Sequence, residues 1–161
     1  MTDFPGLLGR LCESQVEFIV IGGVAAAVHG AARTTLDLDV VYRRAALNLR
    51  ALVGALAPLS PYPRGAPPGL PFVWDERTLG NGLNFTLTTT LGDIDLLGEI
   101  TAGGRYEDLS DHAAEVELFG HRCRILDLED LIRVKRAVGR PKDFEALAEL
   151  DLLLEIKKRG P

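Results

Sequence analysis

Asp37 and Asp39 are the residues of this chain best placed to do chemistry. They stand in the run Leu36-Asp37-Leu38-Asp39-Val40-Val41, which alternates as an extended strand does. Side chains alternate along a strand, so both carboxylates leave on one face, while Leu36, Leu38 and Val40 leave on the other. Carboxylates held side by side repel each other, so either one keeps a proton or a cation lies between them. A pair of hard oxygen ligands suits Mg²⁺ or Mn²⁺. Upstream, the apolar run Phe18 to Ile21 breaks at Gly22-Gly23 and passes into an alanine-rich helical stretch, Val24 to His29, closed by Gly30. Glycines at that point let the backbone approach a ligand without a Cβ, with free N–H groups of the helix start facing outward. An isolated glycine pair reads as a tight strand-to-helix turn; the acidic strand downstream favours the ligand-facing reading. Arg33, Thr34 and Thr35 precede that strand and can reach a phosphate or hold the loop. His29 suits helix capping or packing.

These residues need a frame, and 161 residues supply one ordinary domain with a genuine core. Pro5 to Gln15 has the stripe of a helix, through Leu7, Leu8 and Leu11. Glu17 to Ile21 is the first strand, apolar throughout and so expected at the centre of a sheet. Arg44 to Leu56 has a helical period, with Leu47, Leu49, Leu52, Val53 and Leu56 mostly on one side. Residues 58–71 hold Pro58, Pro61, Pro63, Pro67, Pro68 and Pro71, which exclude a helix or a central strand and predict a long loop at the rim of the site. Leu83 to Leu91 and Ile94 to Leu97 read as a hairpin turned at Gly92-Asp93, which puts Asp95 on a strand and Asp93 in the turn. A second hairpin is expected around Gly120-His121. Asp127 is placed to cap a helix over Leu128 to Val138, ended by Gly139. A last helix runs from Pro141 to about Lys158 with Phe144, Leu147, Leu150 and Leu154 facing inward. The C-terminal helices thus occupy 127–159.

Net charge is 18 − 23, or −5. That balance disfavours a broad phosphate-tracking surface. A local basic groove is still available from Arg43, Arg44, Arg133, Lys135, Arg136, Arg140 and Lys142. No apolar run approaches the roughly 20 residues that cross a bilayer, and the start, MTDFPGLLGR, lacks the pattern of a secretory signal, so no membrane role and a cytoplasmic location are expected. Cys12 and Cys123, with no paired spacing, read as buried or incidental thiols.

A glycine pair after a strand, a helix, then Asp-x-Asp on a second strand resembles the DNA polymerase β-like nucleotidyltransferase superfamily. The form Gly-Gly-x-Ala…His-Gly…Arg-x-Thr-x-Asp-x-Asp is similar to its minimal bacterial and archaeal branch, related to the abortive-infection nucleotidyltransferase toxins. The family's third carboxylate, flanked by apolar residues, is matched by Ile94-Asp95-Leu96. Its C-terminal signature is matched by Leu128-Glu129-Asp130-Leu131-Ile132, Lys135, and Gly139-Arg140-Pro141-Lys142-Asp143. Many members have Gly-Ser where this chain has Gly22-Gly23, which removes a hydroxyl contact to phosphate. The resemblance implies an α/β (α+β) nucleotidyltransferase fold, a mixed twisted sheet packed with helices and a C-terminal helical pair, as a single domain over 1–161. It implies transfer of a nucleoside monophosphate from an NTP such as ATP to an acceptor hydroxyl, on a tRNA or a protein. A toxin–antitoxin role with a dedicated partner is part of the same expectation. Two Mg²⁺ or Mn²⁺ ions would be held by Asp37, Asp39 and Asp95, while Gly22, Gly23, Arg33, Thr34 and Lys135 would contact the nucleotide. The other expectation is a non-catalytic nucleotide-binding or scaffold protein that keeps the fold.

Overall fold

The run Phe18–Ile21 (β1) is buried along its whole length because it has a strand on each side. In the computed structural model, which describes residues 1–160, β1 pairs antiparallel with Asp37–Tyr42 (β2) and parallel with His121–Leu126 (β7). Beyond β2 comes Gly92–Leu97 (β5), parallel to it, then Asn84–Thr89 (β4) and a short edge strand, Tyr62–Pro63 (β3). Ala113–Leu118 (β6) closes the other edge against β7. The result is one mixed seven-stranded sheet in the order β3-β4-β5-β2-β1-β7-β6.

Among the described residues seven α-helices accompany it: Phe4–Glu13 (α1), Gly22–Val28 (α2), Ala46–Leu56 (α3), Glu76–Asn81 (α4), Tyr106–Leu109 (α5), Leu128–Val138 (α6) and Phe144–Arg159 (α7). Asp3 starts α1 by accepting a hydrogen bond from the Gly6 N–H at 2.8 Å. Leu7, Leu8 and Leu11 of α1 and Leu52 and Leu56 of α3 share the main core with Leu38, Val40, Ile94 and Leu96 of the central strands. Burial of each such side chain contributes about 1.5–3 kcal/mol. A one-residue slip of β2 would bring its acids into that core, so the core fixes which face carries them. A smaller apolar cluster, Leu128, Ile132, Leu147 and Leu150, joins α6 and α7 beside Ala26 and Ala31. Among the described residues no helix is long and apolar enough to cross a membrane.

Several local expectations shift. The first hairpin turns at Thr90-Leu91, two residues earlier than expected, so Asp93 lies within β5. Gly92 is a crowded strand glycine rather than a turn glycine: its φ is +113° and a Cβ there would meet Thr2 Cα at 2.5 Å. The second hairpin turns on Phe119-Gly120, both at positive φ. Leu36 precedes β2 and is 78 % exposed, and Leu47 on α3 is also exposed. A short 3₁₀ turn, Pro141–Asp143, comes before α7; it buries Asp143 and leaves Phe144 on the outside. Asp127 sits at the N-cap position of α6 without a capping side-chain bond. The proline-rich segment is ordered by a 3₁₀ turn at Ala57–Leu59 and by β3, with Pro63 on the edge strand where its missing N–H is tolerated. Cys12 and Cys123 are free thiols whose sulfurs lie 3.7 Å apart between α1 and β7.

Candidate active site

The parallel pairing of β2 and β5 sets Asp37 opposite Asp93 and Asp39 opposite Asp95. Leu38 and Ile94 point into the core between them, so all four carboxylates share the other face. One oxygen from each of Asp37, Asp39 and Asp95 lies within 4.8 Å of the other two. Burial, then the neighbouring charges of Asp37 and Asp95, push the Asp39 carboxyl up to about 8. Burial and Asp95 raise Asp37 as well. Arg64, just past β3, opposes both shifts. Its Nη2 donates to Asp95 Oδ1 at 2.8 Å and to the Leu87 carbonyl at 2.8 Å. Its Nη1 lies 3.5 Å from Asp37 Oδ2 and its Nε 3.4 Å from Asp93 Oδ2. The cluster thus combines a cation with a carboxyl that tends to keep its proton. Three converging hard oxygen donors with negative charge still in excess fit a divalent ion of the Mg²⁺ or Mn²⁺ type.

Gly22 is where the chain turns from β1 into α2, at φ +66°, and a Cβ there would lie 2.1 Å from Asp39 Oδ2. A Cβ on Gly23 would lie 2.5 Å from Thr35 Cβ. Both glycines therefore exist to let the acidic strand and the threonine turn come close. Thr35 donates through Oγ1 to the Asp37 carbonyl at 3.1 Å and reaches Asp37 Oδ1 at 3.4 Å. Thr2 ties the two acidic strands at their starts: its hydroxyl donates to the Leu36 carbonyl at 2.5 Å and accepts from the Asp93 N–H at 3.0 Å.

A cleft of about 820 Å³ opens over this face, lined by Gly22, Gly23, Arg33, Thr34, Asp37, Arg64, Lys135 and Asp143 among others. Arg33 is exposed and ion-paired with Glu145 at 3.0 Å. Asp143, 5 % exposed, accepts from Lys135 Nζ at 3.2 Å and Arg140 Nε at 2.8 Å. Burial pushes its carboxyl up, but these two cations outweigh that and hold it below the usual range.

No family model and no curated protein matches this chain. Among solved structures, a crystal structure from Thermotoga maritima named as a "putative nucleotidyltransferase" superposes with a TM-score of 0.57. The match spans 89 % of this chain and 86 % of that one, at 17 % sequence identity. The fold is nucleotidyltransferase-like.

On this nucleotidyltransferase-like frame, Gly22, Gly23, Arg33, Thr34, Asp37 and Lys135 border one cleft, with Asp39 and Asp95 beside Asp37. His29 lies outside the cleft, its Nε2 2.9 Å from the Leu126 carbonyl, in a packing role. Sequence reasoning missed Arg64 and set Asp93 aside. The available signal for Arg64 was its being the one basic residue between the prolines of 58–71.

Proposed function

We propose that this chain is a metal-dependent nucleotidyltransferase, moving a nucleoside monophosphate from an NTP, with ATP the first donor to test, to an acceptor hydroxyl. The carrying observation is the convergence of Asp37, Asp39 and Asp95 beside Gly22 at the cleft of a nucleotidyltransferase-like fold. Those three carboxylates would hold Mg²⁺ or Mn²⁺, which when bound activates a hydroxyl and neutralises charge on a leaving pyrophosphate. Their strands keep them in place within a cored sheet, which suits a reaction where a displacement of about 1 Å can cost on the order of 100-fold in rate. Gly22 and Gly23 line the cleft at the strand-to-helix bend, where their backbone N–H groups would face the phosphates. Arg33, Thr34 and Lys135 line the same cleft as phosphate contacts, with Lys135 exchanging Asp143 for the nucleotide.

The acceptor in this reading is macromolecular, a tRNA or a protein partner in a toxin–antitoxin pair, in the cytoplasm. Incubation with each α-labelled NTP and Mg²⁺, with and without total RNA, identifies the macromolecule that carries label. Label on RNA or protein supports transfer. NTP binding without label on anything removes it and leaves the second reading, a nucleotide-binding scaffold. That second reading draws on Arg64, which partly neutralises the acids without any ion.

A further inference from the structure

Arg64 is the only basic side chain in contact with the four-carboxylate face among the described residues, and it touches three of the four: Asp37, Asp93 and Asp95. Its backbone is fixed, since its N–H donates to the Thr86 carbonyl at 3.0 Å, continuing the β3–β4 pairing. Thr86 stands opposite Asp95, and Asp95 opposite Asp39. The guanidinium therefore reaches across β4 along one row of the sheet into the acids. Its side chain is largely buried, at 27 % exposed, and a guanidinium keeps its charge at any working pH.

The hold is mostly electrostatic. Both of its hydrogen bonds come from Nη2, while Nη1 and Nε approach Asp37 and Asp93 only at ion-pair distance. Nε is buried with no hydrogen-bond partner. Arg64 engages one oxygen each of Asp37 and Asp95, so Asp37 Oδ1, met only by the Thr35 hydroxyl at 3.4 Å, and Asp95 Oδ2 stay clear of the guanidinium and can join Asp39 around a single ion.

We propose that Arg64 is a built-in counter-cation standing where a second divalent ion would otherwise bind, so that the intact site takes one ion. This rests on the metal-site reading above and changes its stoichiometry from two to one. A tethered charge reaches this position without the loss of translational freedom that an ion must meet. Its positive charge a few ångströms away also disfavours a second cation.

The test is a Mn²⁺ titration of metal-free protein followed by electron paramagnetic resonance of the free ion, for the natural chain, Arg64→Gln and Arg64→Lys, with melting curves for each. The expected result is one bound ion for the natural chain and for Arg64→Lys. Arg64→Gln should bind two, the second at least about tenfold more tightly than any second site in the natural chain. Metal-free Arg64→Gln should melt lower than the natural chain and gain more from Mn²⁺. A latch that only anchors β3 would lower the melting point without changing the ion count, and that result overturns the proposal. Two ions in the natural chain, unchanged in Arg64→Gln, also overturn it while leaving the metal site standing. No bound ion in any of the three overturns the metal-site reading together with it. If Arg64→Gln does not fold, Arg64→Met takes its place: two ions there support the proposal, and one ion in the folded variant refutes it.

Discussion

Gly22 and the Asp39 carboxylate are packed so closely that a Cβ on Gly22 would sit 2.1 Å from Asp39 Oδ2. The contact joins the strand-to-helix bend to the acidic strand and leaves no room for a side chain. Gly22 also has φ +66°, a conformation that costs an L-residue about 1–3 kcal/mol. Gly22→Ala should therefore lower the melting temperature by several degrees, at about 2–4 °C per kcal/mol for a chain of this size. It should also weaken Mn²⁺ binding, because the nearest atoms that must move belong to the Asp39 side chain. Melting curves and metal titration check both; a stable variant with unchanged metal affinity would count against the assigned packing.

Asp37→Asn separates chemistry from folding. Loss of hydrogen-bonding partners around a metal ligand typically costs about 10–100-fold, and loss of a ligand should cost more. Transfer by the pure variant should fall by more than about 100-fold, with the circular dichroism spectrum unchanged. Asp37 is one of the charges that raise Asp39, so its neutralisation should hold or raise the metal-free melting temperature. Undiminished transfer would remove Asp37 from the site.

Asp39 makes metal-free stability depend on pH. Its carboxyl is raised from the ordinary value near 4 to about 8 in the folded chain, by burial first and by Asp37 and Asp95 next. Between those values the folded chain holds a proton that the unfolded chain has released, so stability falls as pH rises across that window. The contribution is fully present below about pH 4 and lost above about pH 8. Metal-free protein should melt higher at about pH 5 than at about pH 9, and Asp39→Asn should flatten the profile. Mn²⁺ should restore stability at the alkaline end, since it satisfies the same charge that the proton does.

Lys135 and Asp143 make opposite predictions. In the proposed reaction Lys135 leaves Asp143 for phosphate, and a hydrogen bond between charged groups is worth about 1.5–3 kcal/mol. Lys135→Ala should raise KM for NTP about tenfold or more. Asp143→Asn should free Lys135 and leave KM unchanged or lower, while reducing stability. Asp143 is held below the usual carboxylate range, so its stabilisation is present above that range and is lost as pH falls through its lowered value. Initial rates and acid melting curves of the two variants test the pair; a large rise in KM for Asp143→Asn would contradict the exchange.

Local periodicity carried most of what the sequence could say. Alternation in Asp37–Tyr42 placed Leu38 and Val40 in the core and both acids on the opposite face, because strand geometry is local. The same holds for α1, for β1 as a buried strand, and for α6 closed by Gly139 in a left-handed conformation. Resemblance added Asp95. Where signals competed, the reading slipped. Gly92 looked like a turn residue, yet it is a strand glycine pressed by Thr2, and that displaced Asp93 from the site. Phe144 fits an inward stripe by spacing, yet the turn that buries Asp143 rotates it to solvent. Only the tertiary structure decided that β2 and β5 lie side by side in the register Asp39 to Asp95. It alone also brought Arg64 from the edge strand into the acids and set Cys12 beside Cys123. Pairing between distant segments follows from how the whole core packs, and no short window of residues encodes it.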